Sequence, residues 1–213
     1  MTVTIFGSTG MVGKYLVKQA LALDCKVIAF GRNIEKLIDA DLDDENLVAL
    51  RGYVFDEENV FNALKGSDAV LSALGGAFDG TDKTRTLGIK NIISQMKRTS
   101  IRRIIGIGGM GVLNANEHSL VMDSAEYPQQ YLAVGNEHLQ AYKYLEASNL
   151  DWTFVCPPTI IDKDGNEAYA TSEDYKPSTG RNEVAAGNIA DFMLKELKEN
   201  KYIHKRVGIA DIG

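Results

Sequence analysis

Short apolar runs rich in β-branched residues alternate along this chain with stretches whose apolar positions recur at helical spacing. Thr2-Val3-Thr4-Ile5-Phe6 reads as a buried strand, and Lys14-Tyr15-Leu16-Val17-Lys18-Gln19-Ala20-Leu21 as the helix after it. Lys26–Phe30 predicts a second strand, roughly Leu47–Val54 a third, Asp68–Leu74 a fourth and Arg103–Ile107 a fifth. Trp152–Cys156 predicts a sixth, stopped by Pro157 and Pro158, and Arg206–Ala210 a short last one. Between them, Val184–Glu199 carries Ile189, Phe192, Met193 and Leu197 on one stripe, as an amphipathic helix does. A second helix is expected from about Gly135 to Ser148, with Asn149 as its C-cap. Strands alternating with helices predict an α/β fold with a doubly wound, mostly parallel sheet covered on both faces. The expected sheet has about six to seven strands in the order 3-2-1-4-5-6-7. Residues 161–182 are polar and carry turn signals without periodicity, which suggests a mobile lid or substrate loop.

Gly7-Ser8-Thr9-Gly10-Met11-Val12-Gly13 joins the first strand to the first helix. Gly7 permits a tight turn, Gly10 lets backbone approach a pyrophosphate, and Gly13 lets helix pack on strand. The positive end of the helix favours the anion. Strands four, five and six end in Gly75-Gly76, Gly108-Gly109 and Pro157-Pro158. In a doubly wound sheet the ligand lies at the carboxyl ends of the strands, so these endings should line the site. At the end of strand two an acidic residue would bind a ribose 2′-hydroxyl, whereas arginine accommodates a 2′-phosphate. Here stands Arg32, with Lys36 one turn later, which predicts NADP. The alternative is that both are solvated surface cations.

Composition narrows the partners. The 213 residues suit a single domain spanning 1–213, with a small substrate-side region at about 110–135 and 157–182. A net charge of −6 argues against nucleic acid. Strand residues begin at position 2, and the longest apolar stretch, Ile104–Leu113, holds four glycines, so neither a signal peptide nor a membrane span is expected. Cys25 and Cys156 form no Cys-x-x-Cys motif and suit small core positions in a reducing cytoplasm. The three histidines lack ligand spacing, so no metal site is expected. The acidic run Asp39–Glu45 reads as a solvated loop and helix end.

Nearly the whole chain resembles the atypical short-chain dehydrogenase/reductase group, with its Rossmann-type fold, and within it the NmrA-like and biliverdin-IXβ reductase (NADPH-flavin reductase) members. The residues that carry the likeness are Gly7–Gly13, Gly31-Arg32, Lys65–Val70, Leu74-Gly75-Gly76, Asn136–Leu139, Leu150–Ile160 and Asn188–Leu194. The resemblance implies that Gly7, Thr9, Gly10, Met11 and Val12 hold a pyrophosphate and that Arg32 takes a 2′-phosphate. It further implies that Leu74 and Gly75 pass beside the adenosine half, and that Pro157, Thr159 and Ile160 lie along the nicotinamide. Three positions depart from the group. Tyr53, next to Val54, replaces the usual Asp after Gly52 near the adenine, where it could stack instead. Gly108-Gly109-Met110-Gly111 offers no hydroxyl at the end of strand five, and Thr159 stands where reductase-like members usually have His.

Most short-chain dehydrogenases use Tyr-x-x-x-Lys to move a proton, yet none of the nine tyrosines here has Lys four residues later. Val134 and His138 fall where that pair should. A carbonyl or alcohol substrate needs a proton moved in concert with hydride, a contribution of about 10²–10⁴-fold. A flavin, quinone or tetrapyrrole delocalises the charge itself and can take its proton from water. His138 is the candidate acid or base, or else a structural histidine at the core edge. Met122, Tyr127 and Tyr131 are expected either to wall a nicotinamide pocket or to belong to the core. The expectation is thus an NADPH-dependent reductase of a planar small-molecule acceptor. The alternatives are a non-catalytic NADP(H) sensor acting on a protein partner and, third, a sugar-nucleotide epimerase or dehydratase.

Overall fold

Val3 and Ile5 point to one face of the first strand, Thr4 and Phe6 to the other, and all four are buried. A strand buried on both faces needs a helix layer on each side. The protein meets that need in a computed structural model that describes residues 1–38 and 44–212, apart from the side chains of Lys36 and Ile38. In chain order the elements are β1 (Thr2–Phe6), α1 (Met11–Ala22), β2 (Lys26–Gly31), α2 (Glu35–Ile38), β3 (Leu47–Arg51) and α3 (Glu57–Leu64). Then come β4 (Ala69–Ser72), α4 (Thr84–Met96), β5 (Arg103–Ile107), the hairpin β6 (Asn114–Asn116) and β7 (Ser119–Leu120), and α5 (Leu132–Glu146). The chain continues with β8 (Asp151–Cys156), β9 (Thr159–Ile161), β10 (Tyr169–Glu173), β11 (Glu183–Ala185), α6 (Ala186–Glu199) and β12 (Lys205–Asp211).

The main sheet has the order β10-β12-β8-β5-β4-β1-β2-β3, and every pairing is parallel except β10 with β12. Helices α1 and α6 cover one face through Leu16, Val17, Ile189 and Met193. Helices α3, α4 and α5 cover the other through Leu64, Ile92 and Leu145. This is the doubly wound arrangement, and the expected order 3-2-1-4-5-6-7 holds with β8 and β12 as its sixth and seventh strands. The chain winds outward from β1 through β2 to β3, then restarts at β4 on the other side of β1. The loops after β1 and β4 therefore diverge and leave a crevice at the carboxyl ends.

Several boundaries differ from expectation. Strand three stops at Arg51, because Asp56 caps α3 through the Asn59 amide at 2.8 Å and the chain must turn first. Helix α5 ends at Glu146 with Ala147 as its C-cap, so Asn149 is not its cap. An eighth strand, β10, lies inside the stretch expected to be a lid. Its sequence, Tyr-Ala-Thr-Ser-Glu, is half-buried and lacks aliphatic alternation, and its order comes from pairing along β12. The chain before it is tied down as well. The buried Asn188 side chain accepts from the Asn166 and Glu167 amides at 2.9 and 3.0 Å and donates to Asp211 at 2.8 Å. The turn at 175–182 is held at its two ends, by a bridge between Asn114 and Tyr175 and by Thr159 N donating to Asn182 O at 3.3 Å. Arg206 on β12 joins the two expected substrate-side segments, donating to Val112 O at 2.6 Å, Asn114 Oδ1 at 2.9 Å and Asp174 at 3.2 Å. Of the acidic run, residues 39–43 lie outside the described residues.

Candidate functional site

The turn after β1 is fixed by close packing. Gly7 has φ +75°, and a side chain there would collide with the Ala73 carbonyl of the neighbouring strand's exit. A side chain at Gly13 would strike the Gly7 carbonyl, so α1 can lie on β1 only with glycine at this position. Gly10 donates to Gly7 O at 3.0 Å and precedes α1, whose start no side chain caps. The first amides of α1 thus lack intrahelical acceptors and stand available to an anion. Gly10 and Met11 are exposed at this mouth, whereas Val12 is buried beneath it. Thr9 and Ser8 lie against Gly31, and the buried Ser8 hydroxyl ties the turn to Phe30 O at 3.1 Å. Lys14 and Tyr15 of α1 reach Asp162, just past β9, at 2.7 and 3.1 Å. The glycine turn and the exposed Thr159 with half-buried Ile160 are therefore brought to one crevice.

Arg32 stands exposed at the end of β2. Beside it is a cation that the sequence reading missed. Arg51 pairs in register with Gly31, donates from Nε to Arg32 O at 3.2 Å and meets Glu35 at 3.2 Å. The available signal was its position at the last residue of strand three, one before Gly52. Lys36 lies in α2, its side chain outside the described ones. Tyr53 is 64% exposed with its amide held by Asn59 at 3.2 Å, so its ring offers a face at the crevice rim. Val54 is half-buried, and its carbonyl accepts from Asn91 at 2.8 Å.

Leu74, Gly75 and Gly76 leave β4 along the crevice, with Leu74 half-buried and Gly75 open. The buried Arg85 holds this exit, donating to Gly76 O at 2.9 Å and Ala77 O at 3.0 Å. At the end of β5, Gly108 packs under the Phe154 ring, and its amide donates to Val155 O at 2.7 Å. Met110 donates to Pro157 O at 2.8 Å, which joins the β5 and β8 exits.

Gly109 faces His138. A Cβ at Gly109 would lie 2.9 Å from the imidazole Cδ2 and 3.2 Å from Nε2. The missing hydroxyl of strand five thus has a steric cause: the histidine ring fills the space. Burial, reinforced by the nearby Arg85 charge, pushes the His138 pKa down to about 3. Its Nδ1 is buried with no hydrogen-bond partner among the described residues. Val134, the other position of the absent Tyr-x-x-x-Lys pair, is buried. One turn away, Glu137 is buried and receives Lys83 at 2.6 Å and the Thr86 hydroxyl. Met122 and Tyr127 pack into the core, so of the three residues with two readings only Tyr131 stands at the surface. It meets the exposed Phe78 edge-on, with ring centroids 6.4 Å apart.

The glycine turn packed against the β4 exit, with open helix amides at a topological switch point, suits a dinucleotide, and the sequence relationships agree. Residues 7–200 match the NAD(P)H-binding family. The chain belongs to that family. A curated relative, the uncharacterized protein YwnB of Bacillus subtilis, is 26% identical over 97% of this chain and 96% of its own length. Among solved structures, a candidate epimerase from Bacteroides thetaiotaomicron is 25% identical with a TM-score of 0.82, covering 100% of this chain and 97% of that one. A candidate NADH-flavin reductase from Streptococcus pneumoniae has a TM-score of 0.84 at 21% identity, covering 99% of both. Membership implies a nicotinamide cofactor, and the glycine cradle fits one. No helix among the described residues is long and apolar enough to cross a membrane.

Proposed function

We propose that this protein is an NADPH-dependent reductase of the NmrA-like and biliverdin-IXβ-reductase-like kind, acting on a flavin-, quinone- or tetrapyrrole-like acceptor. The observation that carries the reading is the pairing of a nucleotide cradle with a site poor in proton donors. His138 is neutral at physiological pH, Gly109 has no hydroxyl, and Val134 stands where a tyrosine would. An acceptor that delocalises the incoming charge suits such a site, because protonation can follow from water.

Gly7, Thr9, Gly10, Met11 and Val12 would hold the pyrophosphate, Arg32 and Arg51 the 2′-phosphate, with Lys36 adding charge. Tyr53 and Val54 would flank the adenine. Leu74, Gly75 and Gly76 would run beside the adenosine half. Gly108, Gly109, Pro157, Thr159 and Ile160 would border the nicotinamide, which when bound supplies the hydride. His138 acts as a neutral hydrogen-bonding group. Its orphaned Nδ1 is best left as the bare lone pair, which puts the proton on Nε2, the ring edge facing Gly109. From there it donates to an electronegative atom of the acceptor and helps stabilise the charge that develops. The two buried cysteines fit a cytoplasmic protein.

The test is loss of NADPH absorbance on adding a panel of flavins, quinones and biliverdin to the purified protein. Turnover of at least one is expected; tight NADPH binding with no turnover of any would sink the reductase reading. That outcome would favour a non-catalytic NADP(H) sensor, for which the same lack of a proton relay speaks. An epimerase or dehydratase would need a proton-relay tyrosine that this site lacks.

A further inference from the structure

Beside the exits of β5 and β8 lies a narrow cleft, floored by Cys156 and Pro158, walled by Met110, and closed by Lys176, Arg181 and Asn182 of the 175–182 turn. It is continuous with the reacting end of the crevice, since Met110 is bonded to Pro157 and Thr159 N donates to Asn182 O at 3.3 Å. Its charge runs against the rest of the molecule. The chain carries a net −6, yet the residues lining this cleft include two cations and no carboxylate. Lys176 has no carboxylate within ion-pair distance among the described residues. Arg181 makes only a long contact of 3.4 Å to Glu183, with both side chains nearly half exposed, a geometry that contributes little. The neighbouring acid, Asp174, is committed to Arg206.

We propose that the acceptor carries an anionic group, a phosphate or carboxylate, which Lys176 and Arg181 bind at this cleft while its ring lies at the Gly108-Gly109 and Pro157–Thr159 face. This rests on the hydride-accepting ring of the proposed function and narrows it to acidic acceptors. The cleft is too tight for a ring, but an appended anion needs to reach only its mouth, where both cations stand. Both cations come from the exposed 175–182 turn, whose ends are held by the Asn114–Tyr175 bridge and by Thr159 N on Asn182 O.

FMN and riboflavin share a ring and differ in one phosphate. Titrating each into the NADP⁺-saturated protein, followed by quenching of flavin fluorescence, should show FMN binding about tenfold or more tighter at low salt. The preference should shrink as salt rises. Lys176→Ala combined with Arg181→Ala should bring the two flavins within about twofold of each other and leave riboflavin and NADP⁺ affinities unchanged. Equal binding of the two flavins by the unaltered protein, no binding of either, or a preference that survives the double substitution overturns the proposal. Failure to reduce any acceptor with FMN still bound through these cations would instead remove the reductase reading alone.

Discussion

His138 is neutral because its ring is buried and Arg85, from the start of α4, adds a positive charge nearby. Two outcomes follow at this residue. Its folded pKa, about 3, lies below the ordinary 6.5, so the unfolded chain binds the proton first as pH falls. The stabilisation is therefore complete above about pH 6.5 and is lost progressively down to about pH 3, by up to about 5 kcal/mol. Denaturant melts of His138→Gln across that window should show a flatter acid limb than the wild type; an equally steep limb would mean that the ring titrates normally in the fold. In catalysis, a donor that stays neutral leaves no imidazole inflection in the pH profile of acceptor reduction between about pH 5 and 8. His138→Gln keeps an N–H donor and should retain more activity than His138→Ala, for which a loss of about 10²-fold is expected. Gly109 is the partner in this arrangement. Gly109→Ser places a Cβ within 2.9 Å of the ring, and it should cut turnover by about tenfold or more while leaving NADPH affinity within about twofold. Restored activity on adding the serine hydroxyl would show that the imidazole does not matter.

Elements differ in how far their own residues declare them. β1, β2, β5 and β8 are short runs rich in β-branched, aliphatic and aromatic residues, mostly buried because both their faces are covered, and that pattern is visible in the residues alone. β10 is not visible in this way, since its partner β12 lies 32 or more residues away and supplies the order that Tyr169–Glu173 does not encode locally. The glycine turn was legible for a similar reason to β1: its demands are local, a positive φ at Gly7 and a contact between Gly7 and Gly13 six residues apart. Arg51 was hidden because its closeness to Arg32 exists only through the β2–β3 register. The Gly109–His138 contact likewise needed the packing of α5 against the β5 exit. Long-range pairing also fixes α6. At its last turns Glu196 is almost wholly buried and accepts from Arg103 at 2.8 Å, the Tyr202 amide at 2.9 Å and Thr153 at 3.2 Å. Removing one partner of a buried charged pair leaves the other uncompensated, so Glu196→Ala should cost about 3–5 kcal/mol in chemical denaturation. This clamp lies at the opposite end of the sheet from the crevice, so cofactor affinity of the folded fraction should not move. A loss below about 1 kcal/mol would mean that water reaches Arg103 there.

Across the whole molecule, the crevice, the two helix layers and the charge distribution converge on one measurable quantity, the coupling of coenzyme binding to stability. A ligand that binds only the folded chain raises its stability by an amount set by concentration over Kd, about 2.7 kcal/mol at a hundredfold excess. The −6 net charge repels a polyanionic coenzyme at long range, so binding must be carried by the local cations and the helix amides. Arg32 and Arg51 sit at the β2 and β3 ends, where the proposed function has them bind a 2′-phosphate, and Glu35 is engaged with Arg51. NADPH should therefore raise the melting temperature more than NADH at equal concentration. Arg32→Glu should erase that difference by weakening NADPH selectively, while Arg51→Ala should reduce it without abolishing it, because Arg32 remains. Each lost charge-assisted contact corresponds to about tenfold or more in NADPH affinity. Equal loss for both coenzymes would show that these arginines act on the shared part of the nucleotide, and a larger shift with NADH from the outset would assign the β2 end to a bare ribose.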